Sequence, residues 1–203
     1  MKTIAQLAAE IVDREGGFVN DPDDLGGATN LGVTLGTLRR LGIDVTHDAR
    51  IDIADVRALT RAQAIEIYIE HYFRRPGFDQ LPTALQPGVF DMYVNAGSNA
   101  IKVLQNLVTQ LGFPCAADGQ LGPKTLYAVG LANDRRRDGL ADAYAIARRN
   151  YYYALADARP ASRKFAKRRD GGKGGWITRA EEFMSPQFHL SDAQHGARVA
   201  AWG

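Results

Sequence analysis

Glu15-Gly16-Gly17-Phe18-Val19-Asn20-Asp21-Pro22-Asp23-Asp24-Leu25-Gly26-Gly27-Ala28-Thr29-Asn30-Leu31-Gly32 is the stretch whose reading decides this fold. It opens on the last residue of a helical pattern. Thr3-x-x-Gln6 has the form of a capping box, in which a hydroxyl and a carboxamide satisfy free amides at a helix start. Ile4, Leu7, Ala8, Ile11 and Val12 then recur at helical spacing. Gly16-Gly17 stops that helix. Glu15 follows Ile11 by four residues, so it projects from nearly the same face as the apolar stripe. Residues 18–36 carry glycines and a proline among short apolar pieces, which predicts a turn-rich loop or a small hairpin.

Outward from this stretch the patterns are helical. Leu35 to Leu41 predicts a short helix. Thr60-x-x-Gln63 repeats the capping box, and Ala64, Ile65, Ile67, Tyr68, Tyr72 and Phe73 carry a helix toward Arg75-Pro76-Gly77. Pro87 to Ala96 is a shorter apolar segment. Ile101, Leu104, Leu107, Val108 and Leu111 form an amphipathic helix stopped by Gly112 and Pro114. In Asp118-Gly119-Gln120-Leu121-Gly122-Pro123-Lys124-Thr125 the proline is placed for the first turn of a following helix. A long helix is expected over 140–158, and a last short one over 176–183 after the break at Lys173-Gly174-Gly175. From Ser185 onward signals are weak, and a mobile tail is expected. Strand patterns are scarce and no repeat appears. The fold class is mainly α, with a small hairpin or loop after the first helix.

At 203 residues the chain makes one ordinary domain or two small ones. No apolar run approaches the roughly 20 residues that span a membrane, so membrane insertion is not expected. The N-terminal stretch carries Glu10 and Asp13 and lacks the pattern of a signal peptide. The expectation is a protein made in the cytoplasm that leaves, if at all, by a path another protein opens. Cys115 is the sole cysteine, which rules out an internal disulfide and reads as a small apolar residue. Net charge is +2, but acids outnumber bases up to about residue 100, and bases dominate beyond Arg135. Arg135-Arg136-Arg137, Arg148-Arg149, Arg163-Lys164 and Lys167-Arg168-Arg169 suggest either a polyanionic partner or a solvated helix face.

The chemistry gathers near Glu15. Cleaving a glycosidic bond needs a proton for the leaving oxygen and a second group to handle an oxocarbenium-like transition state. The acid must keep its proton near neutral pH. An apolar setting and the negative end of a helix dipole both favour the neutral form, and Glu15 is expected to have both. Asp24 lies in a segment that must curl back, where it could orient a water, act as base or stabilise the cation; Asp23 is the less favoured alternative. Thr29 could position the attacking water through its hydroxyl. Glycines there let the backbone approach a sugar.

This run resembles the opening motif of glycoside hydrolase family 108, lysozyme-like N-acetylmuramidases of phage endolysins and bacterial toxin-secretion loci. The resemblance implies a lysozyme-like helical fold and cleavage of the β-1,4 bond between N-acetylmuramic acid and N-acetylglucosamine in peptidoglycan. It places the catalytic acid on Glu15, the aspartate before the Gly-Gly pair on Asp24 and the threonine on Thr29. Leu59-Thr60 with Ala64, Tyr68, Tyr72 and Phe73 is similar to the family's second helix. Asp91-Met92-Tyr93-Val94-Asn95-Ala96-Gly97 is similar to its later Asp-x-x-x-Asn-x-Gly segment. The stretch from about Asn95 to Lys173, with Leu104-Gln105 and the Asp118-Gly119 motif, resembles the predicted peptidoglycan-binding domain that usually follows. Asn30, Asp91 and Asn95 are the candidates for holding sugar.

Other signals are weaker. Asp21-x-Asp23 with Gly26 lacks the closing glutamate of a calcium loop, since Gly32 stands there. His47, His71, His189 and His195 show no zinc-protease spacing. No nucleophile elbow, phosphate loop or nucleic-acid module occurs. Tyr151-Tyr152-Tyr153 and Trp176 read as core anchors before sugar platforms. The expectation is therefore a catalytic region over 1–93, a helical peptidoglycan-binding region packed on it over 94–180 with a cleft between, and a tail over 181–203. The partner is the peptidoglycan glycan strand, with no metal, cofactor or nucleic acid. The favoured role is an endolysin released by a holin to act in the periplasm or on the wall. A secretion-associated muramidase, a lytic transglycosylase and a non-catalytic wall-binding module are the alternatives.

Overall fold

The computed structural model describes residues 2–20, 27–136 and 139–202. The chain divides into two compact units, Met1–Arg75 and Pro76–Gly203. Helices dominate both, and the sheet among the described residues is one two-stranded ladder.

In the first unit, helix α1 (Ile4–Glu15) begins with both halves of the capping box made: the Gln6 amide donates to Thr3 Oγ1 at 3.2 Å and the Thr3 amide to Gln6 Oε1 at 2.8 Å. Leu7, Ala8, Ile11 and Val12 are buried, as the periodicity requires. A hairpin follows, with β1 (Thr29–Asn30) antiparallel to β2 (Val33–Thr34). Its two-residue link, Leu31-Gly32, has φ of 53° and 76°. Positive φ at both positions is the signature of a type I′ turn, whose twist matches that of the strands. Helix α2 (Leu35–Leu41) leaves β2 directly, with Thr34 Oγ1 accepting from the Thr37 amide. Helix α3 (Ile53–Ala58) has no counterpart in the sequence pattern. Its capping box is built from Asp52 and Asp55 instead of a glutamate or glutamine. Asp55 also accepts from the Val45 and Thr46 amides, and the Asp52 amide first, with these two behind it, holds its carboxyl down to about 2. Helix α4 (Arg61–Ile69), capped by Thr60 and Gln63, continues into a π-turn over Glu70–Arg74 and lies against α1.

The second unit is organised on the long helix α8 (Gly139–Ala158). Helices α5 (Gln86–Ala96), α6 (Asn99–Gln110), α7 (Pro123–Arg136), α9 (Arg163–Ala166) and α10 (Gly175–Glu181) pack around it. Pro123 stands at the first residue of α7, where its missing amide proton costs nothing. The Asp118-Gly119 motif is a structural lock. Gln105, fully buried, donates from Nε2 to Asp118 Oδ1 at 2.7 Å, the Gln120 carbonyl at 3.0 Å and Thr125 Oγ1 at 3.0 Å, and its Oε1 accepts from the Gly119 amide at 2.9 Å. Cys115 donates to the Gln105 carbonyl, and burial pushes its thiol up, away from the reactive thiolate.

Part of the basic second half is turned inward, while Arg135, Arg136, Lys164, Arg168 and Arg169 stay exposed. Arg148 and Arg179 pair with Asp91, while Arg149 and Lys173 pair with Glu181. Arg148, Arg149, Asp91 and Glu181 are all buried. A buried charge survives only when paired, so these cations serve the interior and are not open to a polyanion.

The tail is ordered, against the expectation of mobility. Helix α11 (Asp192–Val199) starts at a Ser191–Gln194 capping box, the same device as in α1 and α4. Val199 is buried with Tyr152, Tyr153 and Ile177, and Trp202 packs against that cluster. The Trp202 indole donates to Asp157, which also takes Arg198. His195, 1% exposed, meets the Tyr153 hydroxyl through Nδ1 at 2.7 Å.

Burial pushes the His195 imidazole below its ordinary value, with Lys173 acting in the same sense against the Gly172 carbonyl. A group depressed on folding supports the fold fully only above its unfolded value. As pH falls below about 6.5 the unfolded chain takes up a proton that the folded chain resists, and stability is lost. Thermal melting between pH 7.5 and 5 should therefore show a falling midpoint in the wild type. His195→Gln should melt lower at pH 7.5 and depend less on pH over that interval.

Candidate active site

The corner where α1 ends is assembled from three pieces of the first unit. Gly16 takes over from Glu15 with φ of 79°, which ends the helix and turns the chain outward. The Gly16 carbonyl then accepts from the Leu31 amide at 3.1 Å. Val19 and Thr29 exchange both backbone hydrogen bonds at 2.8 Å. These contacts fold the hairpin back beside the end of α1. From the other side, the Arg61 fork grips Asp13 at 2.7 and 2.9 Å, fixing the start of α4 against the last turn of α1.

Gly32 is where the pieces meet. A methyl group there would collide with the Tyr68 hydroxyl and come within 2.8 Å of Glu15 Cγ and 3.0 Å of its Cβ. The hairpin turn thus slots between the stem of Glu15 and the tip of Tyr68. Tyr68, 6% exposed on α4, donates to the Gly32 carbonyl at 3.3 Å. Burial first, then the charges of Glu15 and Tyr72, hold its phenol well above the usual tyrosine value, so it stays a hydrogen-bond donor. Tyr72 lies beside it with ring centroids 5.4 Å apart and the planes tilted by 36°. Leu31 pays with a left-handed φ that bulky residues avoid, a strain of the kind that collects at functional sites.

The residues expected to form the site divide between this corner and the scaffold. Glu15 stands at the corner but is exposed, not enclosed by apolar side chains. The buried stripe of α1 ends at Val12, and beyond it the chain leaves through two glycines that add no cover. Thr29, partly buried in β1, belongs to the same corner. Asp24, with Asp21 and Asp23, lies outside the described residues. Asn30 is 7% exposed, and its amide donates to the carbonyls of Val56 at 2.9 Å and Leu59 at 3.2 Å. It fastens β1 to the end of α3 instead of facing a sugar. Asp91, expected in a sugar groove, is 1% exposed inside the second unit, bonded to Arg148 Nη2 at 2.7 Å and to both sides of the Arg179 fork. Asn95 is exposed near the end of α5 and donates to the Asp91 carbonyl at 2.7 Å. Tyr68 and Gly32 carry more of the site than the sequence pattern assigns them. Tyr68 reads there as one more apolar position of a helix, although its polar tip is the part that meets the Gly32 turn, which also packs on the stem of Glu15. Among the described residues no three metal-ligating side chains come together.

These placements separate fasteners from chemistry. Asn30→Ala should lower stability by about 2–3 kcal/mol, since two buried carbonyls lose their donor. Asp91→Ala should lose about 3–5 kcal/mol because it strands buried guanidinium charge. Urea unfolding of both variants measures this, and a wild-type midpoint for either would contradict its part as a fastener.

Residues 8–97 match the sequence model of the family described as Glycosyl hydrolase 108, and residues 99–181 match that of the Predicted Peptidoglycan domain. No curated protein matches the chain in sequence. Among solved structures, SagA of Brucella abortus is similar, with 27% identity and a TM-score of 0.59 over 98% of this chain and 94% of that one. The two matched segments run one after the other through most of the chain, and with the similarity to SagA they make it a member of glycoside hydrolase family 108, a peptidoglycan hydrolase of the lysozyme-like kind with a peptidoglycan domain behind its hydrolase domain.

Proposed function

We propose that the enzyme is an N-acetylmuramidase in which Glu15 is the proton donor. Protonated Glu15 gives its proton to the oxygen that joins C1 of N-acetylmuramic acid to C4 of N-acetylglucosamine. The C1–O bond breaks as positive charge builds on the muramic ring. Asp24 serves that cation or takes the proton of the incoming water, and Thr29 holds the water through its hydroxyl. The observation that supports this reading most is the corner itself: an exposed carboxylate at the end of α1 whose stem is held by the hairpin turn packed against it.

The setting we propose is that of an endolysin, gathered in the cytoplasm and let through to the wall by a holin. The match of residues 8–97 to the Glycosyl hydrolase 108 model is what supports it. No helix among the described residues is long and apolar enough to cross a membrane.

Digestion of purified peptidoglycan by wild type and by Glu15→Gln, with mass spectrometry of the fragments, tests the chemistry. The wild type should release muropeptides with reducing ends, and Glu15→Gln should lose at least about 100-fold in rate, the scale of positioned acid catalysis. Anhydro-muramic ends would make it a lytic transglycosylase. Undiminished release by Glu15→Gln would remove Glu15 from the mechanism.

A further inference from the structure

The same corner holds a second group that the reaction can use. The Tyr68 hydroxyl and the Glu15 stem flank one α-carbon, that of Gly32, and nothing larger than hydrogen fits between them. The hydroxyl's present acceptor, the Gly32 carbonyl, lies 3.3 Å away. That is long for an O–H···O bond, which usually closes to about 2.7–2.8 Å. The hydroxyl is therefore weakly engaged, fixed in place by a buried ring, and next to the side chain proposed to carry the proton.

We propose that Tyr68 is a positioning residue for Glu15, its hydroxyl turning from the Gly32 carbonyl to donate to the Glu15 carboxylate as that group gives up its proton. This rests on Glu15 being the acid. The step moves no further proton. The Glu15 proton goes to the leaving oxygen, the C1–O pair of electrons leaves with that oxygen, and the new carboxylate charge is met by a donor already beside it. A charged acceptor draws a stronger hydrogen bond than a neutral carbonyl, so the switch favours the transition state over the ground state. Being preorganised, the donor needs no rearrangement of water at the moment of reaction.

Other ionisable groups among the described residues flank this corner, Arg57 of α3 over the Phe18 ring included. Tyr72 flanks Tyr68 on the turn that continues α4. Asp13 and Arg14 sit on α1 itself, with Asp13 held by Arg61 and Arg14 within 3.6 Å of Glu10. The hairpin turn presents only Leu31 and Gly32. Asp21, Asp23 and Asp24 follow in sequence and lie outside the described residues.

Tyr68→Phe removes the hydroxyl and keeps the ring. With soluble glycan-strand oligomers as substrate, kcat should fall about tenfold with KM unchanged. The basic limb of the pH–rate profile should move up by about one pH unit, because a donor that favours the carboxylate has gone. A merely structural role would lower rate and stability and leave that limb in place, so an unmoved limb overturns the proposal. A measurement on folded wild type guards against a variant that fails to fold. The Tyr68 Cζ resonance, followed by carbon-13 NMR, should shift as pH is lowered through the range where Glu15 gains its proton, and Glu15→Gln should abolish that step. A Tyr68 signal indifferent to Glu15 also overturns the proposal. Full activity of Glu15→Gln would instead sink the assignment of the acid, a result separable from either of these.

Discussion

Position 32 admits a hydrogen atom and nothing more, and the geometry of the first unit follows from that limit. The turn it belongs to must pass between a carboxylate stem on one helix and a phenol on another. For the turn to pass, α1 has to end where it does, α4 has to present Tyr68 at that height, and the hairpin link has to take positive φ at two successive residues. Glycine solves one of these residues without strain, and Leu31 bears the other. The bonds around the corner hold this arrangement: Gly16 to Leu31, Val19 to Thr29, Asn30 to the end of α3, Asp13 to Arg61. None of them touches the chemistry. Together they decide where Glu15 points.

The second unit obeys a different constraint, that of charge kept away from water. Desolvating a carboxylate and two guanidinium groups is costly, and their mutual attraction offsets this only with good geometry. Asp91 meets Arg148 and Arg179 from two directions, and Arg148 also lies over the rings of Tyr152 and Phe183. Glu181 is satisfied by Arg149, Lys173 and the Leu190 amide. Such knots reward one arrangement of helices and penalise its near neighbours, a specificity that apolar packing alone gives less sharply.

What the sequence makes legible is local. Capping boxes at Thr3 and Thr60, the double glycine after Glu15 and the proline opening α7 each act within a turn of themselves, and the structure places those helix ends as read. Less obvious local devices escape notice: Asp52 with Asp55, an unusual capping pair, and Ser191 with Gln194, a standard one in a stretch otherwise poor in signals. The site is half legible. The motif leads to Glu15 and the hairpin, because the helix stop and the turn residues lie beside each other in the chain. Tyr68 arrives from 36 residues beyond Gly32, and no periodicity reports which tip of an amphipathic helix will reach a distant turn. Asn30 and Asp91 mislead for a related reason. A polar residue in a motif looks the same in sequence whether it faces ligand or ties the backbone, and only burial separates the two.

The Asp91 knot also bears on how the protein is made. Its partners lie 57 and 88 residues further along the chain, so Asp91 leaves the ribosome long before Arg179 exists to meet it. The ion pair that ties α1 to α4 in the first unit has a shorter reach, the 48 residues from Asp13 to Arg61. Contacts that close over short stretches form early, and domains fold as units from the N-terminus during synthesis. The hydrolase corner can therefore be complete while the second unit still waits for α10. During that interval Asp91 has only the nearer of these two arginines to meet it, so the knot that fixes the helices of the second unit closes last.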